Sequence, residues 1–267
     1  MLKKKHIRDL VIIIMSLIFA ISTLILVFKL LEYKEVKTIY DDIEETVLSE
    51  PEETTEIQDG VLDEVISTEE VKPYLPFEYS HEELLSINND GIGYLYIEAL
   101  DLKLPLVQAS DNNYYLKHTF NNEDNSGGCL FEDYRISKGL FADNVIIYGH
   151  NMKNDTMFGT LDKYADLEFL NTDENNIIYV FTDKLVKKYK VFSCYTTEPS
   201  GDTFVYDFAS IDELRNYAVT MKEKSLYDTG VDLSEVNQIL TLVTCATDNN
   251  KQRFVVHSVL IEELITS

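Results

Sequence analysis

Thr241-Leu-Val-Thr-Cys245, then Ala-Thr-Asp-Asn-Asn-Lys-Gln, then Arg253-Phe-Val-Val256 is the stretch on which the fold turns. It reads as a buried strand ending on a thiol, a polar turn, and a second β-branched strand that opens on an arginine. A cysteine at the point where a strand gives way to a loop can be presented to a cleft as a nucleophile. The alternative for Cys245 is a small buried apolar residue, the usual fate of a free cysteine. Upstream, Asn144-Val-Ile-Ile-Tyr-Gly-His150-Asn-Met152 is a short strand that runs into a glycine turn and delivers a histidine to a strand edge.

The chain has 267 residues, enough for one domain of ordinary size plus accessory segments. With 45% hydrophobic residues, 17 Tyr and 13 Phe it can fill a core. The formal net charge of -24 argues against nucleic acid or an anionic membrane surface as a ligand. Cys129, Cys194 and Cys245 are the three cysteines, too few for a disulfide framework. A single bridge between Cys129 and Cys194 stays open, and an odd thiol in an exported chain is flagged as reactive. No His-x-x-x-His, Cys-x-x-Cys or calcium-loop spacing points to a metal.

From the N-terminus, residues 1–9 form a basic flank with Lys3, Lys4, Lys5 and Arg8. Leu10 to Phe28 is then 19 residues without a charge, at about 1.5 Å per residue close to the roughly 30 Å of a hydrocarbon core. We read residues 10–30 as a single-pass anchor, with the basic flank in the cytoplasm and the bulk of the chain outside the cell membrane. A cleavable signal peptide is the rival reading. Residues 38–71 hold 13 acidic residues and no Lys or Arg, so 31–75 reads as an extracellular stalk, extended or partly helical. Residues 76–267 follow as the globular domain.

Within that domain Ser80-His-Glu-Glu83 is a capping box opening a short helix, with Leu84, Leu85 and Ile87 on its buried side. A second capping box, Ser210-Ile-Asp-Glu213, opens an amphipathic helix to about Lys224, with Ile211, Leu214, Ala218 and Met221 inward. Short strands are predicted at 94–97, 104–107, 145–148, 177–181, 185–195, 239–244 and 253–261. Many short strands with few helices between them predict a mainly β barrel or sandwich.

The Thr-Leu-Val-Thr-Cys strand, Arg253 downstream and Tyr148-Gly-His-Asn-Met152 together resemble the sortases, membrane-anchored cysteine transpeptidases of Gram-positive bacteria. Pro105-Leu-Val-Gln108, the run from Asp111 to His118, Gly128-Cys-Leu-Phe-Glu-Asp-Tyr134, Met157-Phe158 and Ser225-Leu-Tyr-Asp228 are similar to class B members in particular. Val243 stands where class B often has serine, and Tyr94 where tryptophan is common. The resemblance covers about 91–261. It implies an eight-stranded β-barrel with N-terminal helices packed against it and a helix inserted before the last two strands, the place of the helix at 210–224.

The resemblance also implies the chemistry. Cys245 would attack a peptide bond in a C-terminal sorting signal of a secreted protein, giving a thioacyl intermediate. His150 would protonate the leaving amine and later accept a proton from the incoming one. Arg253 stays protonated across the physiological range and would hydrogen-bond the substrate carbonyl as charge develops there. Thr244 is a candidate support for that oxyanion pocket. No cofactor is required, and the acceptor is a peptidoglycan cross-bridge amine or, in a pilin-polymerising variant, a pilin lysine. Two other classes compete: a different cell-wall cysteine peptidase or transpeptidase, and a non-catalytic tethered binding module on the same scaffold.

Other residues carry weaker signals. Strand alternation puts His257 on the same face as Arg253, which makes it a rival to His150. Asp133 or Asp248 are candidates for orienting a histidine. His118, His81 and His6 read as structural or surface residues, and Cys129 and Cys194 as core.

Overall fold

The computed structural model describes residues 2–51, 75–245 and 251–265. Its centre is a closed barrel of eight strands, β3 (Gly91–Ile97), β4 (Leu102–Val107), β5 (Leu130–Glu132), β6 (Asn144–Tyr148), β7 (Ile177–Phe181), β8 (Leu185–Thr197), β9 (Ile239–Cys245) and β10 (Arg253–Ile265). Around the barrel they run β10-β8-β7-β3-β4-β5-β6-β9. This is the eight-stranded architecture the resemblance implies. Each strand expected from the sequence is present, and β5 is an addition. Three residues long and ending on a glutamate, β5 is too short to show a period.

Six of the eight neighbouring pairs are antiparallel; β4 with β5 and β6 with β9 are parallel. Parallel neighbours need long crossovers: 108–129 between β4 and β5, and 149–238, which includes β7 and β8, between β6 and β9. Closure leaves no free sheet edge. The barrel interior is filled by side chains such as Leu95, Leu106, Ile147, Val180 and Leu242, as expected for a barrel of this size.

Both capping boxes form. Ser80 and Ser210 cap α2 (His81–Ile87) and α4 (Ile211–Glu223), each side-chain oxygen accepting the backbone N–H of the residue three ahead. The buried faces differ in part from expectation. Leu85 and Ile211 are exposed, and Tyr217 joins Leu214, Ala218 and Met221 inward. Helix α4 lies between β8 and β9 in sequence and covers a second apolar cluster with Phe192, Tyr195, Ile239 and Val259. A single-turn helix, α3 (Leu167–Leu170), sits in the crossover before β7.

The N-terminal part departs most from the sequence reading. One continuous helix, α1 (Leu2–Val47), contains the apolar run and continues through residues 31–47 of the segment expected to be stalk. Its apolar portion is long and apolar enough to cross a membrane, and none of it is buried. Beyond Leu31, however, Val36, Tyr40, Ile43 and Val47 are buried in the main core. They recur at helical spacing, while Asp41, Asp42 and Glu45 face solvent. Residues 36–47 are thus part of the globular unit and not a spacer. Leu48–Ser49 (β1) pairs with Glu78–Tyr79 (β2), and Ser80 donates its backbone N–H to the Val47 carbonyl at 2.9 Å. The rest of the expected stalk, 52–74, lies outside the described residues.

Candidate active site

Strand register assembles the site. Parallel strands β6 and β9 pair Tyr148 with Val243, and the Gly149 N–H extends the ladder by donating to the Val243 carbonyl at 3.0 Å. Two residues further along each strand come His150 and Cys245. On the other side of β9, antiparallel β10 pairs Arg253 directly with Cys245. Position 245 is therefore flanked by the histidine segment and by the arginine, the three residues set apart in the sequence.

Gly149 is required by close approach. A Cβ there would fall 2.4 Å from Leu130 Cδ2 and 2.6 Å from Phe158 Cδ2. The glycine lets the strand end tuck against Phe158, and Phe158 N–H in turn donates to the His150 carbonyl at 2.9 Å. The half-buried His150 ring has Nε2 at 2.7 Å from the Leu116 carbonyl oxygen. A carbonyl only accepts, so Nε2 carries the hydrogen and Nδ1 is the nitrogen left to exchange a proton. Arg253 is half-buried at the start of β10, with Nη1 donating to the Gln252 carbonyl at 3.1 Å.

Thr244 is buried, and its hydroxyl makes no hydrogen bond among the described residues. Alternation along β9 turns it to the opposite face from position 245. The rival histidine is elsewhere: His257 pairs with Thr241, four residues along β10 from Arg253, or roughly 13 Å at strand rise. It is sealed, with Nε2 at 3.0 Å from Tyr195 Oη and Nδ1 at 2.9 Å from Thr241 Oγ1. Burial, helped by the Lys224 charge, pushes it down to about 3, so it stays neutral.

Asp133 does not orient His150. It takes a forked pair of hydrogen bonds from Arg135, at 2.9 and 2.6 Å, and one from Tyr148 Oη at 3.1 Å. Asp248 lies outside the described residues. His118 stacks on Tyr114 and reaches Asp124 at 3.1 Å, bracing its own loop, and His81 pairs with Tyr79 Oη. Cys129 and Cys194 are free, buried thiols, which burial pushes up to about 12 and 11. Sequence reasoning missed the Leu116 carbonyl, a backbone group with no side-chain signature.

A family model described as Sortase domain matches residues 95–261. Sortase B of Listeria monocytogenes is 31% identical over 236 residues, covering 87% of this chain and 88% of that protein. Among solved structures, sortase B of B. anthracis superimposes with a TM-score of 0.67 at 29% identity, covering 87% of this chain and 99% of the other. A Staphylococcus aureus sortase B–substrate complex gives 0.60 at 29% identity over 68% and 84%. Barrel, inserted helix, N-terminal helices and sequence agree, and the chain belongs to the sortase family of transpeptidases, within class B.

Proposed function

We propose that this sortase cleaves a C-terminal sorting signal on secreted proteins through a thioacyl intermediate at Cys245 and passes the acyl group to a cell-wall peptidoglycan amine. The single observation that supports this most is the register that sets Cys245 between the His150 segment and Arg253. A free thiol of pKa about 8.5 is only a few per cent thiolate at neutral pH. A histidine and a fixed guanidinium on neighbouring strands favour the anion. In the first half-reaction the Cys245 thiol proton passes to His150 Nδ1, the sulfur bonds to the substrate carbonyl carbon, the C–N bond breaks, and Nδ1 gives that proton to the departing amine. In the second half an amine attacks the thioester, His150 takes its proton, and the thiolate leaves.

Arg253 holds the carbonyl oxygen as it gains charge, together with a backbone N–H near Cys245. Thr244, on the opposite face of β9, is assigned a packing role. A substrate complex exists for a similar sortase B, which supports a peptide as the ligand of this face. The apolar part of α1 supports a membrane anchor with the catalytic unit outside the cell. The test is a panel of Leu-Pro-x-Thr-Gly-like, Asn-Pro-x-Thr-like and Pro-Pro-x-Thr-Gly-like peptides offered to the full chain in detergent. Cleavage after threonine that disappears in Cys245→Ala, with unchanged circular dichroism, is expected. Failure to cleave any peptide, with or without an added amine, would count against the reading.

A further inference from the structure

Helix α1 does more than fill the core: on three successive turns it contacts three successive residues of the loop behind His150. Ser126 N–H donates to Glu32 Oε1 at 3.1 Å. Gly127 lies flat on Val36, and a Cβ there would fall 2.9 Å from Val36 Cγ2. The buried Tyr40 hydroxyl donates to the Gly128 carbonyl at 2.6 Å. Residues 32, 36 and 40 are one helical turn apart, about 6 Å per step.

The braced loop is in turn the wall of the histidine. Gly128 has φ +62°, and a Cβ there would stand 3.2 Å from His150 Cδ2 and 2.5 Å from the Tyr115 carbonyl oxygen. The next residue, Cys129, donates its N–H to that Tyr115 carbonyl at 2.9 Å. This ties the wall to the turn whose Leu116 carbonyl accepts from His150 Nε2. Both the carbon edge and the Nε2 edge of the imidazole thus rest on backbone that α1 holds from behind.

We propose that α1 is a positioning element for His150 and that Tyr40 is its principal positioning residue, acting through Gly128. The inference rests on the reading of His150 as the acid–base group. A ring displaced by a fraction of an ångström transfers protons less well, because reactivity falls steeply with misplacement. The brace touches the ring and not the substrate, so the loss is expected in kcat and not in KM. Glu32 also holds Lys29 at 2.7 Å, so the brace begins where the apolar part of α1 ends.

The experiment uses the full chain in detergent micelles and follows kcat and KM for peptide cleavage, and the melting temperature, in Tyr40→Phe, which keeps the ring and removes the hydroxyl. The expected result is a kcat lower by about tenfold with an unchanged KM. Glu32→Ala, which removes the acceptor of the Ser126 N–H, is expected to lower kcat less, in the same direction. A wild-type kcat in Tyr40→Phe overturns the proposal whatever the melting temperature does, since a merely structural brace moves only stability. Should Tyr40→Phe not fold, the same readouts on Glu32→Ala decide, and wild-type values overturn it. His150→Ala separates the two readings: activity retained there sinks the assignment of His150 itself, whereas loss there with normal Tyr40→Phe sinks only the brace.

Discussion

In the proposed mechanism Arg253 and His150 act at different atoms, and their substitutions should separate. Arg253→Lys keeps the positive charge but loses the planar fork that fits a developing oxyanion. We expect kcat to fall by about 10²-fold or more with little change in KM, the pattern for a group that acts on the transition state; equal kcat would remove Arg253 from that role. Two buried residues contribute opposing pH dependences to stability. Glu132 is 1% exposed with both carboxylate oxygens unpartnered among the described residues, and burial, with Asp133 adding, pushes it up to about 8. The folded state binds its proton more tightly than the unfolded chain, so stability falls as pH rises from the unfolded value of 4.5 through about 8. His257 works from the other side: folded near 3 against 6.5 unfolded, it removes stability as pH falls through that interval. Stability should peak near pH 5–6. Urea unfolding of Glu132→Gln should show the alkaline decline reduced by roughly 2 kcal/mol, and an unaltered decline would refute the assignment.

At the scale of elements the decisive one is α1. The sequence reading weighed 13 acidic residues over 38–71 and inferred a spacer. Val36, Tyr40, Ile43 and Val47 lie on one helical face within and just before that run, but charge density hid the periodicity, because an average over a window is blind to which face is acidic. A fragment begun at residue 76 therefore lacks four buried apolar side chains, each contributing about 1.5–3 kcal/mol before the entropy of ordering the helix. It should unfold several kcal/mol below a fragment begun at residue 30, measured by urea denaturation; equal midpoints would mean that α1 does not pack as described. Most strands and both capped helices were legible because hydrophobic alternation and the Ser-x-x-Glu signature are local. Strand β5 was not, since its three residues are placed by their neighbours β4 and β6. Cys245, His150 and Arg253 were legible as strand-end residues, but the wall built from Leu116 and Gly128 was not, because backbone carbonyls and a left-handed glycine reveal their partners only after folding.

Taken as a whole, the molecule is a closed barrel hung on one helix. Tyr40 lies nine residues beyond Leu31, the last large apolar residue of the exposed run, or about 14 Å along the helix axis. If α1 anchors the chain, the histidine wall therefore stays close to the bilayer. Closure brings three residues from distant parts of the chain to one level: 95 residues separate His150 from Cys245, and β6 lies beside β9 only because the crossover between them completes the ring. The claim that this level is a thiol transpeptidase site is tested most directly by intact-protein mass measurement of the full chain after mixing with a sorting-signal peptide in the absence of an amine. The account predicts an adduct equal to the acyl fragment up to threonine, located on Cys245, discharged by an added amine and absent in Cys245→Ala. An adduct on Cys129 or Cys194, or cleavage that persists in Cys245→Ala, would contradict it.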